Sequence, residues 1–379
     1  MLTIEQLSYW ERQQYFDELD FVIIGAGITG YNCALTLRGK FPKAKILILE
    51  RGYLPSGAST KNAGFSCFGS ATELIDDLQK LPSNEVWETV EMRWKGLEKL
   101  RKTIGDNQMG LKVNGSWDLI TQNEINIGKE ALEKLPYLNK MVKQITGVAE
   151  VYSQNKNMYN DFGFQQVLYG FNNKLEGQID TGKMMQRFYQ LVISKNINCL
   201  FGVEVKDLLS MPQGVAINTN IGEIRTSKLA VCTNGFARQF LPTDDILPAR
   251  AQVLVTKPIQ NLKLKGTFHY QQGYYYFRNI HNRILLGGGR NLDINGETTT
   301  EFGQTAQIQN SLTDLLNRVI IPGEKVQIEH SWSGIMGVGK SKKPIIKNIN
   351  ENIAVGVRLG GMGVAIGSLV GEKVADLLA

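Results

Sequence analysis

Residues 20–50 constrain this chain more than any other segment. Asp20–Ile24 is a near-continuous apolar run, as expected of a parallel strand buried on both faces. It enters GAGITG, in which Gly25, Gly27 and Gly30 stand in GxGxxG spacing. Tyr31–Lys40 then reads as a helix, Pro42 marks a turn, and Lys45–Leu49 is a second buried strand. In such a βαβ unit Gly25 permits the tight turn, Gly27 lets the backbone approach a pyrophosphate, and Gly30 lets helix and strand pack closely. Ala26, Ile28 and Thr29 complete the loop, and the first helical N–H groups face the phosphates. Glu50 follows Gly30 by roughly the 20 residues expected of the acid that binds ribose hydroxyls. The unit predicts a dinucleotide site.

Buried-strand patterns recur at Cys199–Val205, Leu229–Cys232 and Ile353–Val357. Leu74–Thr103 has helical period, with Trp87, Val90, Trp94, Leu97 and Leu100 at three- and four-residue steps. Ala131–Ile145 is mixed and broken by Pro136; Lys183–Ser194 and Thr300–Leu316 read as helices. Residues 111–121 read as a hairpin turning at Asn114-Gly115. Alternating strands are expected around Val215–Ile217 and Ile224–Thr226, and antiparallel ones at 250–256, 273–278 and 283–289. Nucleotide-binding β/α segments at both ends and in the middle, with antiparallel material between, predict an α/β fold with α+β inserts. A Rossmann-like domain on a parallel sheet is expected from 1–80, 170–245 and 328–379. Interleaved with it is a domain built on a mainly antiparallel sheet, from 81–169 and 246–327.

Glycine makes up 39 of 379 residues, clustered at 25–30, 57–64, 287–289, 334–339 and 356–363, where it serves close backbone approach to a ligand. The net charge of +6 is mild, and no basic helix with interleaved aromatics supports nucleic-acid binding. Lys340, Lys342, Lys343 and Lys347 read as a solvated loop. Cys33, Cys67, Cys199 and Cys232 form no metal-ligand spacing, so no metal is expected. Glu5, Glu11 and Asp17 interrupt any signal-like apolar run. Residues 353–370, with Arg358 and several glycines, do not read as a span of roughly 20 lipid-facing residues. A cytoplasmic, reducing setting is expected.

FAD and NAD share the fingerprint, and four further motifs choose between them. They are ERGYLPSGASTKNAG at 50–64, GVEV at 202–205, LAVCTNGFA at 229–237 and GVRLGGMGVAIGSLVG at 356–371. With GAGITG they resemble, over nearly the whole length, the D-amino-acid-oxidase-like family of FAD-dependent oxidoreductases, which includes glycine oxidase and sarcosine oxidase. SYWE and GASTKNAGF look closest to its γ-glutamylputrescine-oxidase-like branch. The resemblance implies that the loop from Arg51 passes the pyrophosphate and flavin ring. There Gly57, Ala58, Ser59, Thr60, Ala63 and Gly64 let backbone amides approach, and Ser59, Thr60 and Asn62 supply hydrogen-bonding groups. It further implies that Val205 meets the adenine through its backbone and that Thr233, Asn234 and Gly235 form a second glycine element. Arg358, Gly360, Gly361, Met362, Gly363 and Val364 would bring a helix N-terminus to the flavin, where it stabilises the negative charge of the reduced ring.

The implied activity is hydride transfer from an amine or amino-acid-like substrate to FAD, with oxygen or another carrier as final acceptor. Several positions depart from the family. Some members attach the flavin through a cysteine where this chain has Gly334, so a non-covalent flavin is expected. Glycine oxidase has a carboxylate-binding arginine just after Trp-x-Gly; here Ile335 and Met336 follow, and a second such arginine corresponds to Gly361. Arg278, or less readily Arg250, is the candidate replacement. The lysine over the flavin in sarcosine oxidase corresponds to Leu285. Tyr276, sharing a strand face with Tyr274, is expected to wall the substrate pocket with Phe65, Cys67, Arg278, Met336 and Met362. His269, His281 and His330 are scattered, and hydride transfer to flavin demands no catalytic histidine. The alternatives are a flavin dehydrogenase of a hydroxy acid or polyol, an NAD-dependent enzyme, and a flavin-binding protein with a degenerate site.

Overall fold

The computed structural model describes residues 3–324 and 326–379. Residues 1, 2 and 325, within the expected segments 1–80 and 246–327, lie outside the described residues.

Two eight-stranded sheets organise the chain. In the first, β1 (Leu19–Ile24), β2 (Ile46–Glu50), β8 (Asn198–Phe201), the second half of β11 (Gly222–Val231) and β18 (Ile353–Val357) run parallel in the order β18-β11-β1-β2-β8. β17 (Ile345–Asn350) adds an antiparallel edge, and β9 (Val205–Met211) and β10 (Gly214–Thr219) extend β11. Every residue of β18 is buried, as is all of β1 but Asp20, because helices cover the sheet. Those helices include α2 (Ile28–Lys40), α5 (Ser83–Ile104), α8 (Thr181–Ser194) and α10 (Gly363–Leu378), with α10 packed on α2 and α5. A Cβ at Gly371 would collide with the Thr29 carbonyl, so glycine sets how closely α10 approaches α2.

The second sheet has the order β16-β12-β15-β14-β13-β4-β6-β5. Its strands are β4 (Ser116–Thr121), β5 (Tyr152–Asn155), β6 (Val167–Asn173), β12 (Leu247–Thr256), β13 (Thr267–Tyr270), β14 (Tyr275–Ile280), β15 (Arg283–Gly288) and β16 (Ile328–Val338). All its pairings are antiparallel except β13 with β4. β6 and β16 belong to this sheet, although the expected dinucleotide-binding segments begin at 170 and 328. A two-stranded ribbon of β3 (Phe65–Ser66) and β7 (Gly177–Gln178) lies apart from both sheets. The remaining helices are α1 (Tyr9–Tyr15), α3 (Ala58–Lys61), α4 (Ala71–Lys80), α6 (Ile125–Thr146), α7 (Met158–Phe162) and α9 (Ala306–Leu315).

Five local expectations are corrected. Leu74–Thr103 is two helices, α4 and α5, parted at Leu81-Pro82. Pro136 does not break α6; it sits on the exposed face of a helix that runs unbroken from Ile125 to Thr146. Residues 111–121 are not a hairpin, because Lys112 bridges to Gln178 while β4 pairs with β6 and β13. Ile224–Thr226 and Leu229–Cys232 are not separate strands: β11 runs through both, antiparallel to β10 first and then parallel to β1. The helix expected at Thr300 begins at Ala306 and ends in a π-helical turn, Leu316–Ile320. Among the described residues no helix is long and apolar enough to cross a membrane.

Candidate active site

A cleft of about 800 Å³ is lined by the ends of β1 and β2 with their following loops and by residues of the second sheet such as Val253 and Tyr276. That volume lies within the roughly 300–1,000 Å³ typical of ligand pockets. At one end the chain leaves β1 through Gly25, whose φ of +104° suits glycine. The α2 N-terminus at Gly27 has no cap from its own N-cap residue. The Ile28 N–H donates to Ser59 Oγ at 3.0 Å, which ties the loop of α3 to this turn. Glu50 Oε2 accepts from the Ala26 N–H (3.1 Å) and Oε1 from the Gly52 N–H (3.0 Å), so the acid is pinned at the end of β2. Val203–Val205 and Gln239 continue this wall, with the Gln239 amide donating to the Val205 carbonyl. Thr233 Oγ1 is buried and without a partner among the described residues, beside Asn234.

At the other end Gly360 and Gly361, with φ of +58° and +81°, turn the chain from β18 into α10. The α10 N-terminus at Met362 also lacks a side-chain cap. Opposite stands β14: Tyr276 lines the cleft, its ring lies over Gly287 where a Cβ would not fit, and Phe65 meets it edge-on at 5.7 Å. Burial pushes the Tyr276 phenol up to about 12, so it stays protonated at neutral pH. A dinucleotide carrying a ring system fits this cleft. Two helix N-termini without N-cap side chains, an anchored carboxylate and an orphaned buried hydroxyl are the donors and acceptors its diphosphate, ribose and ring polar edge require.

Most expected site residues line the cleft: Gly25, Gly27, Ile28, Thr29, Glu50, Arg51, Gly57, Ala58, Ser59, Asn62, Ala63, Val205, Thr233, Asn234, Gly334, Gly360, Gly361, Met362, Gly363 and Val364. Tyr276, Met336, Phe65 and Cys67 line it too. Ala26, Gly30, Thr60, Gly64, Gly235 and Arg358 stand behind the wall. Arg358, for example, is bound to Asp245 (2.9 Å) and the Lys343 carbonyl.

Neither expected arginine reaches the cleft. The Arg278 guanidinium is buried behind Gly64, where a Cβ would come 2.8 Å from Nη2, and burial lowers its pKa to about 10. Arg250 donates twice to Glu297, at 2.9 and 2.8 Å, and that carboxylate is fully buried. Arg250→Met would leave Glu297 unpaired, and we expect urea unfolding to register a loss of about 3–5 kcal/mol. Besides Arg51 in the first-sheet loop, Arg290, just after β15, lines the cleft. Its Nε is buried without a partner, its one hydrogen bond among the described residues is to Thr298 Oγ1 at 3.4 Å, and it has no ion pair there. The neighbouring Glu297 is already occupied by Arg250 and Gln252. GGGR in the sequence carried the signal, read only for its glycines.

Charged residues at the cleft mouth form a second feature missed in the sequence. Glu73 pairs with buried Arg93 (3.2 Å) and with Lys342 (3.0 Å), which also reaches Asp77. Burial pushes the Glu73 carboxyl up, but Arg93 and Lys342 outweigh it and hold the pKa at about 2. A folded pKa below the ordinary glutamate value of 4.5 gives stability that is present above that pH and lost as pH falls towards 2. Urea midpoints across this window should show wild type losing up to about 3 kcal/mol that Glu73→Gln does not lose.

Residues 20–377 match the family model of the DAO, FAD dependent oxidoreductases. The chain is 22% identical to sarcosine oxidase subunit beta of Rhizobium meliloti, over 89% of this chain and 78% of that one. Its fold is similar to L-proline dehydrogenase from P. horikoshii (TM-score 0.75, 18% identity, covering 96% of this chain and 93% of that chain). It is likewise similar to glycine oxidase from Geobacillus kaustophilus (TM-score 0.74, 19% identity, covering 95% and 94%). The chain belongs to the DAO family of FAD-dependent oxidoreductases.

Proposed function

We propose that the protein oxidises an amino acid or a closely related carboxylate-bearing amine, using FAD held without a covalent link. The observation that carries this reading is Arg290, an arginine without an ion-pair partner among the described residues in a cleft walled by Tyr276 and Phe65. Bound FAD supplies the two-electron acceptor that takes hydride from the carbon beside the substrate nitrogen. The α2 N-terminus and Ser59 loop would hold the diphosphate, Glu50 the ribose, and the α10 N-terminus the polar edge of the ring. Arg290 would hold the substrate carboxylate through charge-assisted hydrogen bonds. Tyr276, Phe65, Val253 and Met336 would exclude water and orient the reacting carbon. Relatives named for sarcosine, proline and glycine support a carboxylate-bearing amine. Residues 331–346 contain no cysteine, which supports a flavin that acid releases. The four cysteines are all free, which supports a reducing, cytoplasmic setting.

The test is anaerobic. Adding primary and secondary amino acids to the yellow protein should bleach the flavin with at least one of them, and readmitting air then shows whether oxygen is the acceptor. A hydroxy acid would also satisfy Arg290, so bleaching by hydroxy acids and by no amine would replace the substrate reading with that one. A flavin that no member of either panel reduces would contradict both.

A further inference from the structure

At the cleft wall three chemically different side chains converge. The Cys67 thiol, a Glu176 carboxylate oxygen and a His269 ring nitrogen all lie within 4.8 Å of one another. They come from three separate parts of the chain, which is why spacing along the sequence does not reveal them. We propose that they form a binding site for one divalent transition-metal ion of the zinc class.

Glu176 is fully buried, and its Oε1 is pinned by the Phe68 and Gly69 N–H groups at 2.6 and 2.8 Å. Its Oε2 is left with no partner among the described residues, and so is His269 Nε2. Two buried polar atoms without partners are costly in an apolar setting, and a cation taking a lone pair from each satisfies both at once. A sulfur, nitrogen and oxygen set excludes magnesium and calcium, which take oxygen ligands, and suits zinc. From zinc's bond lengths, ligand atoms around a tetrahedral ion sit roughly 3.3–3.7 Å apart, so shifts of about an ångström complete the site.

Cys67 and His269 also line the cleft, which leaves the fourth position open towards it. Three protein ligands and one open position is the composition of reactive rather than closed structural zinc sites. As the sulfur–metal bond forms, the thiol proton leaves to solvent. The thiolate and carboxylate then balance the ion's two charges, so the occupied site is neutral.

The experiment uses the flavin-loaded protein, dialysed against a chelator and then against zinc or cobalt(II). We expect one zinc per chain, and cobalt ligand-field bands at wavelengths beyond the flavin's absorption. Cys67→Ala and His269→Gln should each weaken zinc binding, measured per folded chain, by at least about 10–100-fold. Glu176→Gln, which keeps the two amide bonds through its carbonyl oxygen, should weaken it similarly and serves if the other variants do not fold. A protein that retains no zinc, or variants that retain it as tightly as wild type, would overturn the site.

Discussion

Gly27→Val is expected to give a folded protein that retains less than about a tenth of the wild-type flavin. A Cβ at Gly27 would come 2.9 Å from Ser59 Oγ, the atom that ties the α3 loop to the α2 N-terminus. A branched side chain there also occupies the approach to the α2 N-terminal N–H groups. Hydrogen bonds to charged groups contribute about 1.5–3 kcal/mol each, so losing two of them weakens FAD binding by roughly 10²–10⁴-fold. Gly30 would not serve for this test, because a Cβ there collides with the Gly25 carbonyl and disturbs the fold itself. The readouts are the flavin-to-protein absorbance ratio and FAD titration of the stripped protein, with thermal unfolding of both flavin-free proteins as the control. Full flavin retention by Gly27→Val would mean that the diphosphate lies elsewhere.

Arg290→Met is expected to raise the dissociation constant of the reducing amino acid by about 100-fold or more while leaving flavin content unchanged. Removing one partner of a charge-assisted pair in a partly dry site costs on the order of 3 kcal/mol. Arg290→Lys should recover part of the loss, because the charge remains while the planar fork is gone. Arg278→Met supplies the contrast. Its guanidinium sits behind Gly64, so its loss should alter stability rather than substrate affinity. Both constants come from anaerobic flavin bleaching against substrate concentration. An unaltered constant in Arg290→Met, with a raised one in Arg278→Met, would transfer the carboxylate to the other arginine.

What the sequence made legible was local. The turn at Gly25–Gly30, Glu50 and the glycines at 360–363 are encoded by contiguous residues of recognisable type and spacing, and all except Ala26 and Gly30 line the cleft. Pairing between distant segments was less legible. Strand alternation places Tyr276 and Arg278 on one face of β14, yet it does not say where the facing loop ends. Gly64 and the Ile179 carbonyl close over Arg278 two residues beyond the cleft. Arg250 and Glu297 are nearly fifty residues apart, so nothing nearby in the chain showed that this arginine was already paired. Lys342 looked like part of a solvated basic loop because its partners, Glu73 and Asp77, lie on α4 far earlier in the chain.

A crystal structure of the protein carrying its own flavin tests the central claim most directly. The account predicts electron density for one extended nucleotide, with its diphosphate at the Gly27 end of α2 and its tricyclic ring between Tyr276 and the start of α10. Density for the ring outside that gap, or phosphates away from α2, would contradict it.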